Sequence, residues 1–288
     1  LGWDENAKGA DETVVLKAVA LGGQGIPIVL FHGVTRAWRD WLIVVPALAP
    51  FGRLHALDHR GHGESGRGSS YHVRDYVRDA VHFVSSLAEP VIVIGHSLGA
   101  MVAAGVAAAI PEQVSALVLE DPTFEMTGGR IDETWFPDTF RAYLPHASST
   151  RPAPEIAQAL AKIPVRGPGG MGVVQMSQLR DAASLRFAAV CLKWLDPAVL
   201  PVILEKRWLD GYDVAQTLGR IACPTLFLQG DFAVGGALPD DYAAELAGLI
   251  RDCMTVKTPG IGHGIHSGAP QEFMRLVAPF LSALAGEI

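Results

Sequence analysis

The sequence predicts an α/β fold in which a mostly parallel central sheet is flanked by helices and interrupted by a helical insertion, and three observations carry that expectation. Short apolar runs alternate with stretches of helical spacing along most of the chain. The runs Ile28 to Phe31 and Val91 to Ile94 are continuous rather than alternating, as in strands covered on both faces. From Thr123 to about Gly211 the rhythm breaks into Pro- and Gly-rich sequence with helical stretches and no convincing strand, and it resumes at Thr225. The expected division is therefore a core made of residues 1–122 and 212–288, with 123–211 inserted between two of its strands.

Taken in order, Thr13 to Leu21 alternates loosely and runs into Gly22-Gly23-Gln24-Gly25, which reads as an early strand and a hairpin turn. Ile28 to Phe31 is a strand ending in His32-Gly33-Val34. Trp38 to Leu48 has helical spacing, and Arg53 to Leu57 is again a strand. The loop Asp58-His59-Arg60-Gly61-His62-Gly63-Glu64-Ser65 clusters histidines and acids. Its glycines suit sharp turns and its Asp and Arg suit backbone hydrogen bonds, which outweighs a metal site. Tyr71 to Leu87 is a helix. Leu98 to Ile110 is an Ala-rich helix stopped by Pro111, and Ser115 to Leu119 is a strand ending at Glu120-Asp121-Pro122. Beyond the insertion come a strand at Thr225 to Leu228, a helix near Asp240 to Ile250, a strand near Met254 to Thr258 and a last helix from Gln271 to Leu284.

Apolar residues make up 49% and charged residues 18% of the chain, a well-packed globular composition. A formal charge of −7 with no Lys/Arg run argues against nucleic acid and anionic membrane surfaces as partners. The longest apolar run, Leu98 to Ile110, is too short to span a bilayer. Cys191, Cys223 and Cys253 show neither C-x-x-C nor a histidine spacing for metal, so they read as buried thiols in a reducing compartment, and no secretory leader pattern is visible. A cytoplasmic protein acting on a small molecule is the expectation, with its oligomeric state open.

The chemistry gathers at Gly95-His96-Ser97-Leu98-Gly99, where a strand turns directly into a helix. Such a turn strains its central residue, requires neighbours two positions away without side chains, and raises the hydroxyl beside a positive helix end. A serine there needs a base oriented by an acid. His263, in the Gly-flanked loop Pro259 to Gly264 just past the last strand, is the best placed. His266 is an alternative, with loop packing the more natural role, and His96 is expected to pack inward.

These stretches together resemble the α/β-hydrolase family in its cap-containing, esterase- or lactonase-like form. The resemblance rests on His32-Gly33, the Asp58 to Ser65 loop, the elbow at Ser97 and the Gly-His loop at His263, in the order serine, acid, histidine. It implies Ser97 as nucleophile, His263 as base, and an oxyanion hole from the Val34 and Leu98 amides. Members commonly carry the acid as Gly-x-x-Asp after the next-to-last strand, but Gly230-Asp231-Phe232-Ala233 has alanine in that slot. Some relatives take it instead from the end of the strand after the elbow helix. Asp121 holds that place and is favoured, with Asp231 and Glu120 as alternatives. Adjacent strand-end side chains point to opposite sides, so only one of Glu120 and Asp121 should reach His263.

Haloalkane dehalogenases and epoxide hydrolases place Asp at the elbow, so Ser97 argues against that chemistry. The inserted segment becomes a cap whose aromatic and Met content implies a largely apolar pocket, with His32, Trp135, Phe136 and Trp194 as expected lining. Arg36, Arg39 and Arg60 fall near the expected mouth, with solvation as their expected fate and a carboxylate clamp as the alternative. The implied activity is hydrolysis of an ester or lactone through an acyl-enzyme, with no cofactor and no metal. The alternatives are a carbon–carbon bond hydrolase on the same triad and a receptor-like binder with little turnover.

Overall fold

The computed structural model describes residues 13–124 and 130–284. Residues 1–12 and 285–288 of the expected core, and 125–129 of the expected insertion, lie outside the described residues. The strands are β1 (Ala18–Ala20), β2 (Pro27–Phe31), β3 (Arg53–Leu57), β4 (Val91–His96), β5 (Val114–Glu120), β6 (Pro164–Arg166), β7 (Val173–Gln175), β8 (Thr225–Gly230) and β9 (Cys253–Thr258). The α-helices are α1 (Val45–Leu48), α2 (Val73–Ser86), α3 (Leu98–Ala109), α4 (Phe136–Tyr143), α5 (Ala153–Ala161), α6 (Ala182–Lys193), α7 (Val199–Leu204), α8 (Val214–Gly219), α9 (Asp240–Gly248), α10 (Ile265–Gly268) and α11 (Pro270–Leu284).

Seven strands form one sheet in the order β1-β3-β2-β4-β5-β8-β9, parallel throughout except for the antiparallel β1 at one edge. Because strand side chains alternate, the continuous apolar runs feed two separate cores. Val29, Phe31, Val91, Val93, Leu117, Leu119 and Phe227 face α2, α3 and the segment between β5 and β8, whereas Ile28, Leu30, Ile92, Ile94, Ala116, Val118, Leu226 and Leu228 face α1 and α11. Burying each large aliphatic contributes about 1.5–3 kcal/mol, so a slip of β4 by one residue would exchange the whole set. No helix among the described residues is long and apolar enough to cross a membrane.

The α/β class and the order of core elements agree with the sequence reading; three local expectations do not. The Gly22 to Gly25 turn makes no hairpin, since β1 pairs with β3 through Ala18 and Leu57. Both edges of β2 are already taken by β3 and β4, which leaves β1 no place beside it. Trp38 to Leu48 is a 3₁₀ turn over Trp38–Ile43 followed by α1, with Pro46 in its first turn. The stretch expected to lack strands holds the antiparallel pair β6 and β7, closed by Gly169, Gly170 and Gly172 at positive φ. Strands of three residues are too short to leave a periodic signal.

The segment between β5 and β8 carries α4 to α8 and this hairpin. Its buried residues Phe140, Ile156, Leu160, Leu192 and Trp208 belong to the same apolar cluster as the α3 face of the sheet. Tyr212 adds a hydrogen bond from its hydroxyl to the Met101 carbonyl, 2.9 Å. Cys191 and Cys223 are buried free thiols as expected, but Cys253, on the edge strand β9, is only half-buried.

Candidate active site

Strand β4 passes into α3 at Ser97, whose φ of 56° and ψ of −118° put a non-glycine residue in a costly region. The turn is tight enough that a Cβ on Gly95 would sit 2.1 Å from the Gly99 carbonyl oxygen, and one on Gly99 would sit 2.0 Å from that of Phe31. Thr35 and Asp121 also have positive φ, 62° and 44°. Three residues held at about 1–3 kcal/mol of strain each thus mark the loops at the carboxyl end of the sheet. Ser97 is anchored there by its amide, which donates to the Glu120 carbonyl at 2.9 Å.

The end of β5 sends its two acids to opposite sides, as strand alternation requires. Asp121 is fully buried and accepts from the Gly230 amide at 3.0 Å, the Ala237 amide at 2.8 Å and His263 Nδ1 at 2.7 Å. With Nδ1–H committed to a carboxylate, the neutral His263 ring keeps its lone pair on Nε2. Glu120 instead accepts from the amide and Nδ1 of His266, 2.9 and 2.7 Å. Asp231 accepts from the Ala233 and Gly260 amides, 3.1 and 2.9 Å, and so holds its own loop. Of the three acids, Asp121 is the one hydrogen-bonded to His263.

His266 lies between Glu120 and Asp40, whose Oδ2 is 3.5 Å from Nε2, and its ring stacks on Trp41 with centroids 4.2 Å apart. Burial opposes charge on the ring, but the two carboxylates outweigh it and push His266 up to about 9. His96 packs inward, donating from Nε2 to the His263 carbonyl at 3.0 Å. Burial brings it down to about 3, so its ring is neutral.

Ser97 and His263 line one cavity of about 320 Å³, shared with Val34, Trp135 and Phe136. The amides of Val34 and Leu98 have no acceptor among the described residues. Phe136 meets the His263 ring edge-on at 4.8 Å, and Trp135 Nε1 donates to the Gly235 carbonyl at 3.2 Å.

The fold alone admits many activities, and it is the sequence match that decides the family. A model of the alpha/beta hydrolase family matches residues 28–276. The chain is an alpha/beta hydrolase. It is 34% identical to 2-hydroxymuconate semialdehyde hydrolase of a Pseudomonas species, over 90% of this chain and 88% of that one. It is 26% identical to epoxide hydrolase B of Mycobacterium tuberculosis, over 91% and 92%. Among solved structures it resembles the enol-lactonase of Burkholderia xenovorans, with a TM-score of 0.69 at 19% identity, covering 93% of this chain and 97% of that one.

Two of the residues expected to line the pocket of this alpha/beta hydrolase do not. His32 is wholly buried behind the cavity, where Nδ1 donates to the Gly33 carbonyl at 2.7 Å and Nε2 accepts from the His59 amide at 3.1 Å. Trp194, at the carboxyl end of α6, is 58% exposed and does not line the cavity. His32 belongs with His59 and His62 to a buried trio whose rings serve backbone groups. His59 Nε2 donates to the His32 carbonyl, and His62 Nε2 accepts from the Thr35 amide. Burial holds all three neutral, His59 at about 3 and His62 at about 4. Among the described residues no metal-binding cluster occurs.

Two of the three arginines also depart from expectation. Arg39 is exposed over the Trp38 ring, but Arg60 is buried against Asp79 at 2.6 Å, and Arg36 pairs with Asp40 inside the cavity wall. Sequence reasoning missed Thr139, Phe140 and Tyr143 as lining, although Phe136, Thr139, Phe140 and Tyr143 recur at one-face helical spacing and were the available signal. Leu179 and Arg180 carried no such signal.

Proposed function

We propose that this alpha/beta hydrolase is a serine hydrolase that cleaves an ester or lactone of a small, largely apolar substrate through an acyl-enzyme. The observation that carries the reading is the 2.7 Å bond from His263 Nδ1 to buried Asp121, opening on the same cavity as the strained Ser97. In this mechanism Ser97 Oγ attacks the carbonyl carbon while His263 Nε2 takes its proton, and the oxyanion is received by the Val34 and Leu98 amides. His263 then gives the proton to the departing alcohol. Water, deprotonated by the same nitrogen, attacks the acyl carbon and releases Ser97. Asp121 holds the ring in its tautomer throughout. The segment between β5 and β8 serves as the cap, with Trp135 and Phe136 forming the apolar wall. Protein groups carry each step, so no cofactor is required. Ser97 argues against epoxide opening of the kind that needs an elbow Asp.

A fluorophosphonate probe should label Ser97 in the native chain and leave Ser97→Ala unlabelled, with steady turnover of short p-nitrophenyl esters. Labelling without turnover of any ester or lactone would sink the reading and favour a receptor. The 34% identity to 2-hydroxymuconate semialdehyde hydrolase supports a second reading, carbon–carbon bond hydrolysis on the same groups. That reading requires turnover of a vinylogous diketone together with inertness toward simple esters.

A further inference from the structure

Two guanidinium groups line the cavity, and their surroundings differ. No Asp or Glu is among the lining residues. Arg36 nevertheless has its charge answered from behind the wall: Nε donates to Asp40 Oδ2 at 2.9 Å, Nη2 bonds the other oxygen, and its flat face covers the Phe187 ring at 4.7 Å. Asp40 in turn meets His266, which meets Glu120, so the row Arg36, Asp40, His266, Glu120 alternates in sign and sums to zero.

Arg180 has no such row. It follows the 3₁₀ turn Met176–Gln178 and is only partly exposed, its guanidinium 5.2 Å from the centre of the Trp135 ring. It has no carboxylate within ion-pair distance among the described residues. The neighbouring acid, Asp181, is turned to the Ser184 amide at 2.7 Å, where it caps α6. Stacking occupies the face of a guanidinium and leaves its in-plane N–H groups free. Those donors match a carboxylate two by two. The rest of the wall, with Phe136, Phe140, Leu179 and Val234, suits a short hydrocarbon between that end and Ser97.

We infer that Arg180 is a specificity-determining residue that binds a carboxylate of the substrate, so that the natural substrate is an anion with its charged end held against Trp135 and its scissile carbonyl at Ser97. This deepens the proposed function and rests on it for the reacting bond, but not for the anion site. The site selects a carboxylated ester or lactone over its uncharged counterpart, because an Arg180 desolvated by a neutral ligand would lose water without gaining a partner.

The test compares two substrate series, each with its carboxylate replaced by the isosteric primary amide. One series places the carboxylate on the acyl side, as in mono-p-nitrophenyl adipate, and the other on the leaving side, as in 3-acetoxybenzoate. The native enzyme should favour the carboxylate in at least one series by about 10–100-fold in kcat/KM, chiefly through KM. In Arg180→Met the ratio should fall to near one, and Arg180→Lys, which keeps the charge without the planar fork, should restore part of it. Equal rates for carboxylate and amide in both series, or a preference that survives Arg180→Met, would overturn the inference while leaving the hydrolase reading intact. Should no ester turn over, adipate binding to Ser97→Ala by calorimetry decides. Binding that Arg180→Met abolishes keeps the anion site without the ester chemistry, and no binding removes the site.

Discussion

Two surfaces face each other across the cavity, and they are built on different principles. On the side of the sheet, the polar side chains are fixed through the backbone: Asp121 accepts two amides as well as His263, and Ser97 is tied by its own amide to β5. On the side of the segment between β5 and β8, the wall is made by rings packed on rings. Trp135, Phe136 and Phe140 lie at centroid distances of 4.8 and 6.0 Å along the chain. One hydrogen bond, from Trp135 to Gly235, joins that aromatic wall to the opposite loop. Hydrogen-bonded register tolerates little displacement, whereas apolar packing accepts other side chains of similar volume. The same fold can therefore hold one chemistry while its pocket varies.

The largest effect that would break this contrast belongs to the sheet side. Asp121→Asn should lower kcat by about 10⁴-fold, because the amide would favour the wrong His263 tautomer, while Asp231→Asn should stay within a few-fold. Steady-state kinetics on one ester would check both, and the opposite ranking would move the acid to Asp231.

A second effect concerns stability on the far side of β5. His266 is raised to about 9, so the charged ring stabilises the fold fully below its unfolded value near 6.5, and that contribution is lost as pH rises toward 9. Thermal unfolding should show Tm falling across that window. Glu120→Gln should destabilise by about 3–5 kcal/mol at neutral pH and flatten the slope, since it leaves the histidine facing one carboxylate in place of two. A Tm independent of pH between 7 and 9 would contradict the assignment.

The smallest effects separate the lining of the wall from its exterior. Phe136→Ala should raise KM by about tenfold with a smaller change in kcat, as expected for lost apolar contact worth about 1–2 kcal/mol. Trp194→Ala should leave kcat/KM within about twofold and stability within about 0.5 kcal/mol. Equal effects of the two would erase the distinction between the faces of the segment between β5 and β8.

Legibility followed the same division. The elbow could be read because the steric demand is local: a strand, a strained residue and two glycines within five positions. His263 and Asp121 were readable through their places after strands, since parallel strands bring their carboxyl ends to one edge. The pocket was read poorly. Trp135 and Phe136 were found, but Trp194 and His32 were misplaced and Arg180 was passed over, because hydrophobicity says that a side chain will be covered and not by what. The buried pairing of Arg60 with Asp79 was equally invisible, as their positions lie 19 residues apart on different elements.

By itself the order of residues determined the layered α/β architecture, the bend at Ser97 and the sides taken by Glu120 and Asp121, all of which follow from the period of a strand and the volume of a Cβ. Only the tertiary structure decided which histidine meets which acid, which aromatic rings face the cavity, and that one of its two arginines is neutralised while the other is not. The two histidine–acid pairs join residues 142 and 146 positions apart, where the deciding quantity is relative orientation in space and no local preference of the chain encodes it. Arg36 and Asp40 are only four positions apart, but their burial and the contact of Asp40 with His266 are set by the same long-range packing.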